Sequence, residues 1–104
     1  MSFENLDVWK KSARLSATLY REFATLKDFG FKDQITCAGL SIPSNIAEGH
    51  ERWSAKENLL FLNYAKGSCG ELRCQLQIAM NLGYLEPENY KELSNLATEI
   101  VSHD

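Results

Sequence analysis

The stretch LSIPSNIAEG, Leu40–Gly49, decides how this chain is read. Apolar residues recur at helical spacing on both sides of Pro43, with Ile35, Ala38 and Ile42 before it and Ile46 and Ala47 after it. A proline inside a helix removes one hydrogen bond and crowds the carbonyl four residues back, at about 3 kcal/mol. The stretch is therefore a break between helices, a chemical site, or a bent helix. Residue 39 is a glycine, which leaves the crowded carbonyl room to move, and Ser41 and Ser44 can bond the loosened backbone. Ile42 and Ile46 keep the apolar stripe continuous, so the pattern predicts one proline-kinked helix over about residues 32–48. The alternative is a break at Ser41, with Pro43 opening a new helix.

Working outward, the first helical segment covers about residues 5–26. Leu6, Trp9, Ala13, Ser16, Tyr20 and Phe23 form one stripe, and Val8, Leu15, Leu19 and Leu26 form a second beside it. Lys27-Asp28-Phe29-Gly30 reads as a turn with Gly30 in a left-handed conformation. After the proline segment, Gly49 stands where a C-terminal glycine cap belongs. Ser54 with Glu57 three residues on is a capping box for a third segment running to about Leu82, with Gly83 as its cap. Trp53 reads as a hydrophobic staple ahead of Ser54, or else as a contact residue together with Arg52.

The third segment carries apolar residues on many sides. Phe61, Ala65, Ser68, Leu72, Leu76, Ala79 and Leu82 make one stripe, and Leu60, Tyr64, Cys74 and Ile78 another. Four helices cannot cover that much apolar surface within one chain, which predicts a subunit interface. Gly67 and Gly70 lie in its middle, and the expectation is close approach of another backbone there. Pro87 opens a fourth segment in which Tyr90, Leu93, Leu96, Ala97 and Ile100 face inward. No strand pattern occurs. The fold class expected is all-α, an antiparallel up-down-up-down four-helix bundle formed by residues 1–104 as a single domain.

Composition narrows function more than it names it. The chain has 104 residues, 44% hydrophobic and 24% charged, with net charge −3. Residues 1–85 hold ten Lys/Arg and nine Asp/Glu, whereas 86–104 hold one Lys and five acids. No apolar run is long enough for a membrane span. The N-terminus has no signal-peptide core, and three cysteines suit reduced thiols, so a cytoplasmic setting is expected. Lys10, Lys11, Arg14 and Arg21 fall on the first helix and are the candidate basic surface, although a solvated helix face is the more common reason for such a set.

Catalytic patterns are missing. Ser41 and Ser44 have no histidine in their own segment; the two histidines are His50 and His103, the latter at the chain end. Glu48, His50 and Glu51 straddle Gly49. Cys69 and Cys74 project roughly 140° apart on a helix and cannot chelate one ion together. There is no Glu-x-x-His pair for a di-iron bundle and no glycine-rich phosphate loop. No enzyme activity, metal or cofactor is expected.

SIPSNIAEG followed by Arg52 resembles the signature of the bacterial four helix bundle protein family, whose members are also described as encoded in intervening sequences of large-subunit ribosomal RNA genes. Ser41, Pro43, Ser44, Asn45, Glu48 and Gly49 carry that signature. Phe3, Leu6, Trp9, Ala13, Leu15 and Tyr20 match the family's first helix. Ser54, Glu57, Phe61, Ala65, Gly67, Ser68, Glu71, Leu72 and Leu76 match its third, and Asn81–Leu85 its turn. The resemblance implies a bundle that associates into a ring, a homopentamer, without established enzymatic activity. It is also similar to accessory proteins of diversity-generating retroelements, which bind nucleic acid and a reverse transcriptase through basic surfaces.

Three departures bear on what that implies. Thr36 and Cys37 stand at positions that are usually basic, the first loop is shorter, and the fourth helix is short. Fewer cations per subunit mean fewer released counterions, which weakens the nucleic-acid expectation. Two functions follow as expectations. One is an oligomeric accessory protein associated with RNA or DNA, with Lys10, Lys11, Arg14, Arg21 and Arg52 as contacts. The other is a protein-interaction scaffold that touches no nucleic acid.

Overall fold

The structure, a computed structural model, describes residues 2–102. His103 lies outside the described residues. A single 3-10 turn, Phe3–Asn5, precedes four helices: α1 (Asp7–Glu22), α2 (Phe29–His50), α3 (Ala55–Asn81) and α4 (Pro87–Val101). No strand occurs among the described residues. The long axis of 43 Å matches the length of the 27-residue α3, about 40 Å at 1.5 Å per residue.

Short connections fold each helix back on the one before. Helix α2 packs on α1 and α3, and α4 packs on α3 and α1. Contacts along α2 and α3 show opposite directions: Gly49 meets Asn58 and Phe61, Ser41 meets Ser68, and Phe31 meets Tyr84. The same holds for α1 and α2, where Leu19 meets Gly39 and Phe23 meets Phe31. These pairings are those of a four-helix bundle.

Helix α2 is unbroken through Pro43, so the break at Ser41 does not occur. The polar residues around the proline brace the carbonyls on either side of the one it strands. Ser41 Oγ donates to Ala38 O at 2.7 Å, and Ser44 Oγ to Leu40 O at 2.9 Å. Asn45 Nδ2 donates to Ser41 O at 2.7 Å. Pro43 itself is buried.

Two glycine readings come out differently. Gly30 takes no left-handed conformation: α2 already starts at Phe29, because the Asp28 carboxylate caps it by accepting from the Phe31 N–H at 3.2 Å. Gly49 is not a left-handed cap but lies within α2, where a Cβ would stand 3.0 Å from Phe61 Cβ and 3.2 Å from Asn58 O. It is a point of close approach between α2 and α3, closed by Asn58 Nδ2 donating to Gly49 O at 2.8 Å. Gly39 does the same toward α1, where a Cβ would come within 2.3 Å of Leu19 Cδ1. Gly83, with φ 78°, is the true left-handed cap. Its N–H reaches Met80 O and the Tyr84 N–H reaches Ala79 O, the paired bonds of a Schellman motif.

At the start of α3, Ser54 accepts from the Glu57 N–H at 3.1 Å, as the capping box requires. Trp53 is fully exposed and packs on nothing as a staple would. Pro87 occupies the first turn of α4, with Glu88 favouring that end through the helix dipole. The core is centred on Leu15, Leu19, Ile35, Ile42, Leu72 and Leu76, all at 0% exposure. Of the two α1 stripes, the one through Leu15 and Leu19 is central. Trp9 and Ala13 are half-buried and Tyr20 is exposed, because they sit at the edge that α1 shares with α2.

Cys69 lies in the same core. Burial pushes its thiol from 9.0 up to about 11, against the lowering pull of the Arg73 guanidinium. The native state therefore holds this proton more tightly than the unfolded chain does. That contribution is complete below pH 9 and is lost as pH rises through 11. A rise of that size predicts a loss of about 2–3 kcal/mol across the window, on the order of 1.4 kcal/mol per unit. Chemical unfolding of wild type and Cys69→Ala at a series of alkaline pH values checks this. The variant should start less stable but lack this component of the slope.

Candidate nucleic-acid and assembly surfaces

Lys10, Arg14 and Arg21 project from one face of α1 at helical steps of four and seven residues, and all three are exposed. The row spans roughly 16 Å along the helix at 1.5 Å per residue. Among the described residues none of the three is in an ion pair; Arg21 donates only to Thr18 Oγ1, at 3.5 Å. Lys11 points about a quarter-turn away and is half-buried, so it stands apart from the row.

Arg52 is committed elsewhere. Its guanidinium pairs with Glu48 one turn back and stacks over the Phe61 ring, 4.8 Å from the centroid. Together with Gly49 against Asn58, this ties the end of α2 to the beginning of α3. Of the signature residues, Ser41, Ser44 and Asn45 bond helix carbonyls and Gly49 packs against α3. At mid-helix, Ser41 and Ser68 are 2.6 Å apart; because Ser41 donates to Ala38 O, Ser68 supplies the proton to Ser41. Thr36, at one usually basic position, is buried with its hydroxyl on Lys32 O at 2.7 Å, whereas Cys37 is exposed.

The outer face of α3 is the larger surprise in chemical terms. Leu60, Tyr64, Gly67, Glu71, Cys74 and Ile78 follow one another at steps of four, three, four, three and four residues, and every one is exposed. That is the spacing of a helix–helix seam. Tyr64 is held edge-on by Phe61, with ring centroids 5.6 Å apart. A Cβ on Gly67 or on Gly70 would meet nothing within 4 Å. Within the chain these glycines therefore approach no other backbone; the space beside them is open. A second apolar surface lies between α1 and α2, a groove lined by Phe3, Trp9, Ala17, Tyr20, Leu40 and Ala47. Sequence spacing located the α3 stripe but had no signal for this groove, because its lining comes from two helices.

No helix among the described residues is long and apolar enough to cross a membrane. No functionally curated protein matches the chain. In structure it is similar to a protein of unknown function from the S23 ribosomal protein family of Bacteroides thetaiotaomicron VPI-5482, solved by crystallography. The two share 28% sequence identity over 90% of this chain and 91% of the other, with a TM-score of 0.85. Residues 4–103 match the family described as 23S rRNA-intervening sequence protein. The match takes in the first-helix pattern, the proline signature and the third-helix stripe together, and the chain belongs to the 23S rRNA-intervening sequence protein family.

Proposed function

We infer that this is a non-enzymatic, homo-oligomeric accessory protein that associates with nucleic acid through α1. The observation that carries the reading is the row of Lys10, Arg14 and Arg21, exposed and outside any ion pair among the described residues. A net charge of −3 argues against tight binding by one copy. Repetition of the row around a ring supplies multivalency instead, since linked weak contacts gain affinity through effective concentration. The exposed α3 seam supports assembly, and the pentamer implied by the family resemblance is the form expected.

Fluorescence anisotropy against a structured RNA and a DNA duplex, over a series of salt concentrations, tests the reading. Binding should weaken with salt on a log–log line. The triple variant Lys10→Ala, Arg14→Ala, Arg21→Ala should flatten the slope by up to about three counterions per engaged subunit. Absence of salt-sensitive binding at low ionic strength would sink the nucleic-acid reading. Host partners that survive nuclease treatment would favour a protein scaffold instead.

A further inference from the structure

One end of the bundle is not filled by the side chains of the described residues. A cavity of about 320 Å³ opens where the start of α1, the end of α2, the first half of α3 and the end of α4 converge. Its buried floor is Ile46, Ala65, Cys69 and Ile100, with half-buried Leu62 and Val8 as walls. The opening exists because α3 presents two small residues, Ala65 and Cys69, to a core layer that larger side chains occupy elsewhere. At the mouth stand exposed Lys66, half-buried His50 and Asn58. This is the make-up of a small-molecule site: an apolar chamber with a few polar groups on one side.

Size and charge select the ligand class. At roughly 30 Å³ per water-sized group the cavity holds about ten non-hydrogen atoms. Among the described residues no acidic side chain lines it, whereas Lys66 contributes a cation and His50 a polar ring. Lys66 and His50 each already interact elsewhere in the chain, but an ammonium has three donors and can take a carboxylate oxygen in addition. We propose that this cavity binds a medium-chain aliphatic carboxylate of about eight carbons, tail on the Ile46–Cys69 floor and carboxylate at Lys66. The orientation is set by the buried apolar floor, where a charged headgroup would be desolvated, and by Lys66 at the mouth.

The site is separate from the basic row on α1 and does not depend on nucleic-acid binding. Isothermal titration of the full chain with octanoate, octylamine and acetate, alongside thermal melting, tests it. Octanoate should bind saturably with Kd below about 1 mM, within reach of a ligand of that size, and should raise Tm. Acetate, which cannot fill the chamber, and octylamine, which carries the wrong charge, should bind at least tenfold more weakly. Ala65→Leu fills the floor and should abolish binding. Lys66→Glu, at an exposed position that leaves the fold intact, should weaken octanoate at least tenfold and favour octylamine. No saturable octanoate binding at millimolar concentration overturns the proposal. So does octylamine binding as tightly as octanoate, or octanoate affinity unchanged in Lys66→Glu.

Discussion

Replacing Gly39 with valine lowers the unfolding free energy by about 2–3 kcal/mol, the range for overpacking a filled core. A Cβ at this position would stand 2.3 Å from Leu19 Cδ1 and 3.9 Å from the Ser16 Cα on α1. Leu19 is wholly buried and cannot swing aside without displacing its neighbours. The intrinsic preference of a helix for a residue other than glycine favours the substitution by no more than about 1 kcal/mol, so the clash wins. Denaturant unfolding measures the loss. The double variant Gly39→Val, Leu19→Ala supplies the control: if the cause is this one contact, the two costs should fall short of additivity by about 1 kcal/mol or more. Full additivity would mean that valine acts through the proline turn and not through α1.

Introducing glutamate at both Tyr64 and Ile78 should convert the proposed assembly to single chains. Both residues are exposed in the protomer, so helix content and protomer stability should be nearly unchanged. In an assembly they would be the large apolar anchors on either side of the Gly67–Cys74 stretch of the α3 seam, where a truncated or charged anchor costs about 2 kcal/mol or more. Two such losses weaken association roughly a thousandfold. Sedimentation at micromolar concentration should show wild type at a multiple of 11.8 kDa and the variant at 11.8 kDa. Wild type sedimenting at the single-chain mass would remove the assembly. Gly67→Ala gives a second, oppositely signed readout. It should stabilise the helix itself by up to about 1 kcal/mol while weakening association, because none of the described residues stands within 4 Å of its methyl group and a second molecule on the seam would.

Much of the fold was legible in local pattern. The Ser54–Glu57 cap and the Gly83 turn satisfy backbone groups through neighbours within a few residues, and Pro87 at the start of α4 leaves no N–H there to satisfy. Such signals do not depend on what the rest of the chain does. The reading of LSIPSNIAEG as one helix also came from local evidence, since the apolar stripe runs through Pro43 without a change of phase. Helix α2 starts at Phe29, three residues ahead of the start that periodicity predicts, because Asp28 reads as part of a turn by sequence. An aspartate three residues ahead of a helical N–H is equally a cap, and it acts as one here.

The candidate surfaces were legible only in part. The four cations of α1 can be found by inspection, but spacing along one helix separates Lys11 from the other three only once the helix is placed against α2 and α4. Arg52 is as available as the other cations by sequence, whereas the structure pairs it with Glu48 and stacks it over Phe61. Trp53 fitted the staple position by number, yet no partner stands on that side of the turn.

Residue order alone settles that this chain is helical, where its helices lie and which family it belongs to, because periodicity and capping are interactions among near neighbours. The roles of its glycines were settled only by packing: Gly39 and Gly49 are small because α1 and α3 cross there, and Gly67 and Gly70 border open space. The cavity above Cys69 belongs to the same class of fact. It arises from side chains on four helices, each unremarkable in sequence, that fail to fill the volume they enclose. Contacts between residues far apart in the chain depend on how helices cross, and no local pattern encodes that.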